Sequence, residues 1–290
     1  MSDIFVARSY AKINLGLFIR ERLPNGYHDI ETGFAFIDMS DRLEVRRAEQ
    51  TRIRCNDPGV PTGKDNLIVK AITAFHQRYG TSGYFDISLQ KTIPAGAGLG
   101  GGSSNAAVML RLLSRIYELD IPLNELAELG AALGADVPVF VRAQTAIGTG
   151  TGTALSFVDF QPDFHIVTVW PGIHSNTAEA YGLCEPGGPP EIPLSEILTE
   201  YEPDEWNYLL RNDLEPGVIS RYHHVGNIKD QFYDMGALYA AMSGSGSAVF
   251  GIFEQELTAT DSYKYFLQLQ YRANLTPPGF RPKHGVYLKA

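Results

Sequence analysis

The fold of this chain is set by the stretch Pro94-Ala95-Gly96-Ala97-Gly98-Leu99-Gly100-Gly101-Gly102-Ser103-Ser104-Asn105. Five of its seven central residues are glycine, which allows positive φ angles and leaves the backbone N–H groups uncovered. Apolar residues at helical spacing follow at once, and we expect Ser103 or Ser104 to cap that helix. Bare amides at a helix N-terminus form an anion site, because the orphan donors and the helix dipole point the same way. The stretch therefore predicts a phosphate-binding loop.

Other glycine-rich phosphate loops fit this stretch poorly. Gly96, Gly98 and Gly101 match G-x-G-x-x-G, but no second strand ending in an acid follows the helix, as a dinucleotide site requires. No Lys-Ser/Thr pair follows the last glycine, which excludes a Walker loop. The chain lacks the H-R-D and D-F-G motifs of protein kinases. A glycine-rich turn without any ligand is the remaining alternative.

Length and composition are those of a globular protein with room for two domains. The chain has 290 residues, of which 44% are hydrophobic and 20% charged. The run 148–153 alternates glycine and threonine, and we place the domain boundary there, giving domains 1–152 and 153–290.

Charge and cysteine content exclude several function classes. The net charge of −9 argues against a nucleic-acid partner, so local donors and a metal must hold any polyphosphate ligand. Cys55 and Cys184 form neither a disulfide framework nor a metal motif, which suits a cytoplasmic protein. We see neither a membrane span nor a targeting peptide, and no obligate protein partner is evident.

The first strands carry polar residues that have two interpretations. In the strand 11–19, Ile13, Leu15, Leu17 and Ile19 should share one face, with Lys12 and Asn14 on the other. That polar face is either a solvated edge or part of a cleft.

A turn follows at residues 22–28, where Asn-Gly comes after Pro, and it leads Tyr27 and His28 into the strand 32–37. Tyr27 and His28 have two interpretations: they are ordinary residues of the surface or core, or they belong to a functional site. Short antiparallel strands are expected at 43–45 and 52–55.

Two further segments also remain open. A helix over 123–133 should end at Gly134 and lead into an apolar strand over 135–140, which leaves Asp136 as a capping, turn or functional residue. The run 242–251 is a second glycine-serine turn, which is either a simple loop or a second element that closes on the same ligand.

Taken together, three stretches resemble the motifs of the GHMP kinases, named for galactokinase, homoserine kinase, mevalonate kinase and phosphomevalonate kinase. They are Ala11-Lys12-Ile13-Asn14-Leu15, the loop from Pro94 to Ala107, and Ser243-Gly244-Ser245-Gly246. Two more, Asn25-Gly26-Tyr27-His28-Asp29-Ile30-Glu31-Thr32 and Gly134-Ala135-Asp136-Val137-Pro138-Val139-Phe140, resemble the branch that phosphorylates a cytidine-diphosphate methylerythritol.

The resemblance implies a two-lobed α/β fold, with an N-terminal ATP-binding lobe and a C-terminal substrate-side lobe around a central cleft. It implies transfer of the γ-phosphoryl group of ATP to the 2-hydroxyl of the cytidylyl substrate, in the non-mevalonate route to isoprenoids. Mg²⁺ should accompany ATP, held by phosphates, water and a loop serine rather than by a carboxylate cage.

The resemblance also assigns residues. Asp136 and Lys12 match the catalytic pair. Asn14 lies beside the substrate, Tyr27 stacks on the cytosine, His28 reads its edge, and Tyr181 faces it from the other side. The ATP phosphates fall to the loop residues Pro94, Gly96, Gly98, Leu99, Gly100, Gly101, Gly102, Ser103 and Ser104.

Two alternatives differ in class. One is another small-molecule GHMP kinase, such as a homoserine or mevalonate kinase. The substrates of those kinases carry no base that could stack on an aromatic ring, so the Gly-Tyr-His turn argues against this alternative. A non-catalytic nucleotide-binding member has no need for both Lys12 and Asp136.

Overall fold

The computed structural model describes residues 3–283 and 286–289. Its strands are β1 (Ile4–Arg22), β2 (His28–Ala48), β3 (Arg52–Cys55), β4 (Tyr84–Gln90), β5 (Ala146–Gly150), β6 (Ala154–Phe157), β7 (His165–Trp170), β8 (Tyr239–Met242), β9 (Val249–Phe253), β10 (Arg272–Thr276) and β11 (Val286–Lys289). Its helices are α1 (Leu67–Tyr79), α2 (Gly101–Ile116), α3 (Leu123–Ala131), α4 (Val137–Arg142), α5 (Thr177–Gly182), α6 (Leu194–Glu200), α7 (Trp206–Leu209), α8 (Glu215–Arg221), α9 (His223–Asp234) and α10 (Glu256–Gln268).

The strands form two sheets. The first has the order β11-β1-β2-β4-β3. Near its N-terminal end, at residues 30–34, β2 also pairs with β5, which pairs with β6. The second has the order β10-β7-β9-β8. This arrangement confirms the expected two-lobed α/β architecture.

The sheets and helices stack in four layers. Helices α1 to α4 cover one face of the first sheet with a core that includes Phe34, Phe75 and Leu110. The other face packs on the second sheet through residues such as Ile13 and Phe250. Helices α8 to α10 close the outer face of the second sheet. Burial on both faces of each sheet supplies the main stabilisation of this fold.

The long β1 carries a break that the alternating pattern did not predict. The register against β2 shifts between Leu15 and Leu17, where Gly16 has a φ of 74°. Ile13 and Leu15 therefore pack between the sheets, whereas Leu17 and Ile19 join the core beneath the outer helices. The prediction that all four share one face was wrong, because a β-bulge adds a residue to one strand.

Several local predictions also need correction. Residues 137–142 form the short helix α4 rather than a strand, with Pro138 in its first turn, a position that suits proline. The expected strands at 32–37 and 43–45 are one continuous β2, and β3 pairs with β4 in parallel rather than antiparallel. The domain boundary at 152/153 is not among these corrections: it lies in the turn between β5 and β6 and stays a prediction.

The helix cap after the glycine loop also differs from the prediction. Gly100, in a left-handed conformation, precedes the first residue of α2, and no side chain caps the helix. The Ser104 hydroxyl instead donates to the Tyr10 carbonyl at 2.7 Å, which ties α2 to β1.

Candidate active site

A cleft of about 970 Å³ lies between the two sheets' loops, and both halves of the chain line it. Among its lining residues are all the predicted site residues except Ser104, which is buried behind the loop. The cleft thus brings together Lys12, Asn14, Tyr27, His28, Pro94, Gly96, Gly98, Leu99, Gly100, Gly101, Gly102, Ser103, Asp136 and Tyr181.

The glycine loop has the backbone that its sequence predicts. Gly96, Gly98 and Gly100 have φ angles of 67°, 81° and 70°. Residues other than glycine rarely adopt such positive φ angles. The loop delivers the chain into α2, whose first residues, Gly101 to Ser103, border the cleft. The first N–H groups of a helix have no partner within the helix, so they are free to bind an anion here.

The second glycine turn packs directly on this loop. The Ser243 hydroxyl donates to the Gly98 carbonyl at 3.0 Å, and the Ala248 N–H donates to the Ala97 carbonyl at 3.1 Å. A Cβ atom at Gly98 would lie 2.0 Å from the Ser243 carbonyl oxygen. Gly244 and Ser245 also line the cleft, so the two glycine-rich turns close on the same space.

Lys12 lies at the centre of the cleft. Its ammonium donates to Asn14 Oδ1 at 2.5 Å and to the Gly98 carbonyl at 2.9 Å, and Asp136 Oδ2 lies 3.6 Å away. Lys12 is only 3% exposed, so it does not belong to a wet edge. Burial lowers the pKa of Lys12, and the Asp136 carboxylate opposes that shift.

Asp136 owes its position to the start of α4, which it directly precedes. Its side chain is 33% exposed and faces the cleft, whereas Lys12 is enclosed. The pair can therefore present a carboxylate to a bound hydroxyl and a cation to a transferring phosphoryl group.

Asn14 is oriented by a chain of hydrogen bonds. Its side-chain N–H donates to Thr32 Oγ1 at 2.8 Å, and the Thr32 hydroxyl donates to the Gly16 carbonyl at 2.6 Å. Because the amide is held from both sides, its oxygen points at Lys12. Thr32 is a positioning residue that the sequence reading missed.

The far end of the cleft is aromatic. His28 stacks on Tyr181, with ring centroids 5.0 Å apart, whereas Tyr27 is 65% exposed. Burial raises the pKa of Tyr181 to about 12, and the Asp136 carboxylate adds to that shift. Burial and the Arg22 guanidinium lower the pKa of His28. The ring that faces Tyr181 is thus His28 rather than Tyr27.

The sequence reading also missed the segment after β7. The Ser175 N–H donates to the Gly96 carbonyl at 3.2 Å, and its hydroxyl donates to the Ser245 carbonyl at 2.7 Å. His174 packs over Gly96, where a Cβ atom would approach its Nδ1 to 2.0 Å. The one sequence signal that could have identified this segment as a functional loop is its position directly after a strand and the Pro-Gly pair.

Within residues 3–283 and 286–289, no group of three His, Cys, Asp or Glu side chains could hold a metal ion. None of the helices in this part of the chain is long and apolar enough to cross a membrane.

Family models and individual relatives agree on what the chain resembles. The model described as "GHMP kinases N terminal domain" matches residues 66–144, and "GHMP kinases C terminal" matches residues 201–266. The boundary predicted at 152/153 lies between the two matches and stays a prediction.

The "4-diphosphocytidyl-2-C-methyl-D-erythritol kinase" of Chloroherpeton thalassium is 39% identical over 95% of this chain and 98% of its own. That of Parabacteroides distasonis is 42% identical over 84% of this chain and 90% of its own.

Solved structures show the same relation. A crystal structure of 4-(cytidine 5'-diphospho)-2C-methyl-D-erythritol kinase matches with a TM-score of 0.79 and 31% identity, covering 95% of this chain and 99% of that one. A homoserine kinase from Cytophaga hutchinsonii, at 16% identity and a TM-score of 0.69, shares the fold. The chain therefore belongs to the GHMP kinases, in the family of the 4-diphosphocytidyl-2-C-methyl-D-erythritol kinases.

Proposed function

We propose that this chain transfers the γ-phosphoryl group of ATP to the 2-hydroxyl of 4-diphosphocytidyl-2-C-methyl-D-erythritol. One observation carries the proposal: the Lys12–Asp136 pair lies in the same cleft as the glycine loop and the aromatic end. A donor at the loop and an acceptor whose base rests among Tyr27, His28 and Tyr181 would meet at this pair.

The residues support a simple division of labour. Phosphoryl transfer asks the protein for positioning and charge stabilisation. As the acceptor oxygen bonds to the γ-phosphorus and the bond to the ADP oxygen breaks, Asp136 accepts the hydroxyl proton. Lys12 stabilises the charge on the transferring group, and Asn14 fixes the direction of the ammonium.

The glycine loop and α2 hold the ATP phosphates through backbone N–H groups. Mg²⁺ supplies charge neutralisation between the phosphates when bound. Few side-chain oxygens beside α2 could bind this ion: the Ser103 hydroxyl and the Asp136 carboxylate line the cleft. This set fits an ion carried mainly by phosphates and water, as Mg²⁺ commonly is.

The aromatic end sets the choice of acceptor. Stacking a base on an aromatic ring contributes about 1–3 kcal/mol. His28 can form a hydrogen bond with the cytosine edge, and a wrong base would leave the imidazole without that hydrogen bond.

The free thiols of Cys55 and Cys184 suit a reducing cytoplasm as the place of reaction.

A coupled ADP-release assay with a panel of alcohols tests the proposal. We expect turnover with the cytidylyl acceptor and background rates with homoserine, mevalonate and phosphomevalonate. A faster rate with any of the three would reassign the chain within the GHMP kinases. ADP release without an acceptor, at the same rate, would indicate hydrolysis instead.

A further inference from the structure

The glycine loop is anchored by a buried carboxylate that no motif of the sequence contains. Asp41, in β2, is fully enclosed by its surroundings. Its Oδ1 accepts the N–H groups of Thr92 at 2.8 Å and Ile93 at 2.9 Å. These two residues directly precede the loop, so one oxygen fixes the point where the chain enters it.

The second oxygen of the same carboxylate holds the other end. Asp41 Oδ2 accepts from the Lys91 ammonium at 2.5 Å and from the Asn105 side chain at 2.9 Å. Asn105 belongs to α2, just past the loop. One side chain therefore spans the loop from the residues that precede it to the helix that follows.

The partners of this carboxylate border the cleft beside the glycine loop. Lys91 and Asn105 both line the cleft, and a Cβ atom at Gly101 would lie 2.9 Å from the Lys91 ammonium. Asn105 is held further by Ser9, whose hydroxyl accepts at 2.6 Å. Each buried donor here has a partner, as low-dielectric surroundings demand.

We propose that Asp41 is a positioning residue for ATP, which holds the two ends of the glycine loop at the separation that nucleotide binding requires. It touches no reacting atom. Its effect reaches the phosphates through the backbone at Thr92 and Ile93 and through Asn105. The proposal concerns the ATP half of the cleft, so it does not depend on the identity of the acceptor.

The Asp41→Asn variant tests this directly. An asparagine keeps one acceptor oxygen but turns an N–H group toward the donors of Lys91 and Asn105, so the loop loses one anchor. We expect KM for ATP to rise about tenfold or more, with KM for the acceptor and kcat at saturating ATP within about threefold of wild type. Calorimetry without acceptor should show the same loss of ATP affinity.

A control and a double variant separate positioning from general destabilisation. Asp86→Asn removes another ion-paired carboxylate of the same sheet, beside Arg54 at 2.8 Å and outside the cleft, and should leave both KM values unchanged. Asp41→Asn/Asn105→Ala should be no worse than Asp41→Asn alone, since Asn105 acts through Asp41.

Three results would overturn the proposal. For Asp41→Asn, they are a KM for ATP within twofold of wild type or an equal rise in both KM values. For the double variant, it is a rise in KM for ATP equal to the product of the rises in the two single variants. If Asp41→Asn does not fold, Asn105→Ala carries the test. It should raise KM for ATP alone by about threefold or more, and an unchanged value would overturn the proposal.

Discussion

Replacing Asp136 by asparagine removes the charge that faces Lys12 while keeping the size of the side chain. The two charged groups are 3.6 Å apart. At an effective dielectric of about 20, two unit charges at that distance attract by about 5 kcal/mol. Asp136 is 33% exposed, so solvent screening reduces this figure. A loss of about 2.7 kcal/mol in the transition state corresponds to about 10²-fold in rate.

We therefore expect kcat of Asp136→Asn to fall by about 10² or more, with KM for ATP little changed. The pH profile should move as well. Burial already lowers the pKa of Lys12, and loss of the opposing carboxylate lowers it further. Because the protonated ammonium is the active form, activity is lost as pH rises through that pKa. The alkaline limb of kcat should shift to lower pH.

Steady-state kinetics from pH 6 to 10 on wild type and variant measure both effects. Asp159→Asn is the matched control, since Asp159 is exposed and does not line the cleft. Near-normal turnover of Asp136→Asn, or an alkaline limb that stays in place, would refute the pairing of Asp136 with Lys12.

The remaining predictions concern the two ends of the cleft. Gly98→Ala should abolish ATP binding in calorimetry, because the new Cβ meets the Ser243 carbonyl at 2.0 Å. Gly80→Ala has the same left-handed strain with no atom within 4 Å, so it should bind ATP normally, and equal losses would refute the packing argument. Tyr27→Ala should raise KM for the acceptor about tenfold with KM for ATP unchanged, and the reverse pattern would place this turn at the nucleotide. Since burial lowers the pKa of His28, KM for the acceptor should rise as pH falls, with a midpoint below the ordinary histidine value of about 6.5; a midpoint above that value would contradict the lowered pKa.

The sequence predicted the site better than it predicted the surroundings of the site. The glycine loop has a local signature, because uncovered amides before a helix have few other uses. Lys12 and Asn14 were ambiguous until the fold showed them buried over the loop. Their role depends on Gly98 and Asp136, which are distant in the chain, so no local pattern could settle it.

Other features arise from tertiary contacts and escaped prediction for that reason. Residues 137–142 are apolar enough for a strand, but packing against α2 and α3 makes them a short helix. Gly100 precedes α2 and no side chain caps this helix, so the Ser104 hydroxyl is free to bond β1. Asp41 lies 51 residues from Thr92 in the chain, so its role at the loop is visible only in the fold.

Following the phosphorus atom tests the central claim most directly. Wild-type protein, ATP and 4-diphosphocytidyl-2-C-methyl-D-erythritol are followed by ³¹P nuclear magnetic resonance, with Asp136→Asn in parallel. We predict one new phosphate monoester signal on the cytidylyl product for each ADP formed, assigned to the 2-position by its ³¹P–¹³C coupling to that carbon, and almost none with the variant. ADP accompanied by inorganic phosphate alone, or a monoester at another hydroxyl, would contradict the proposed transfer.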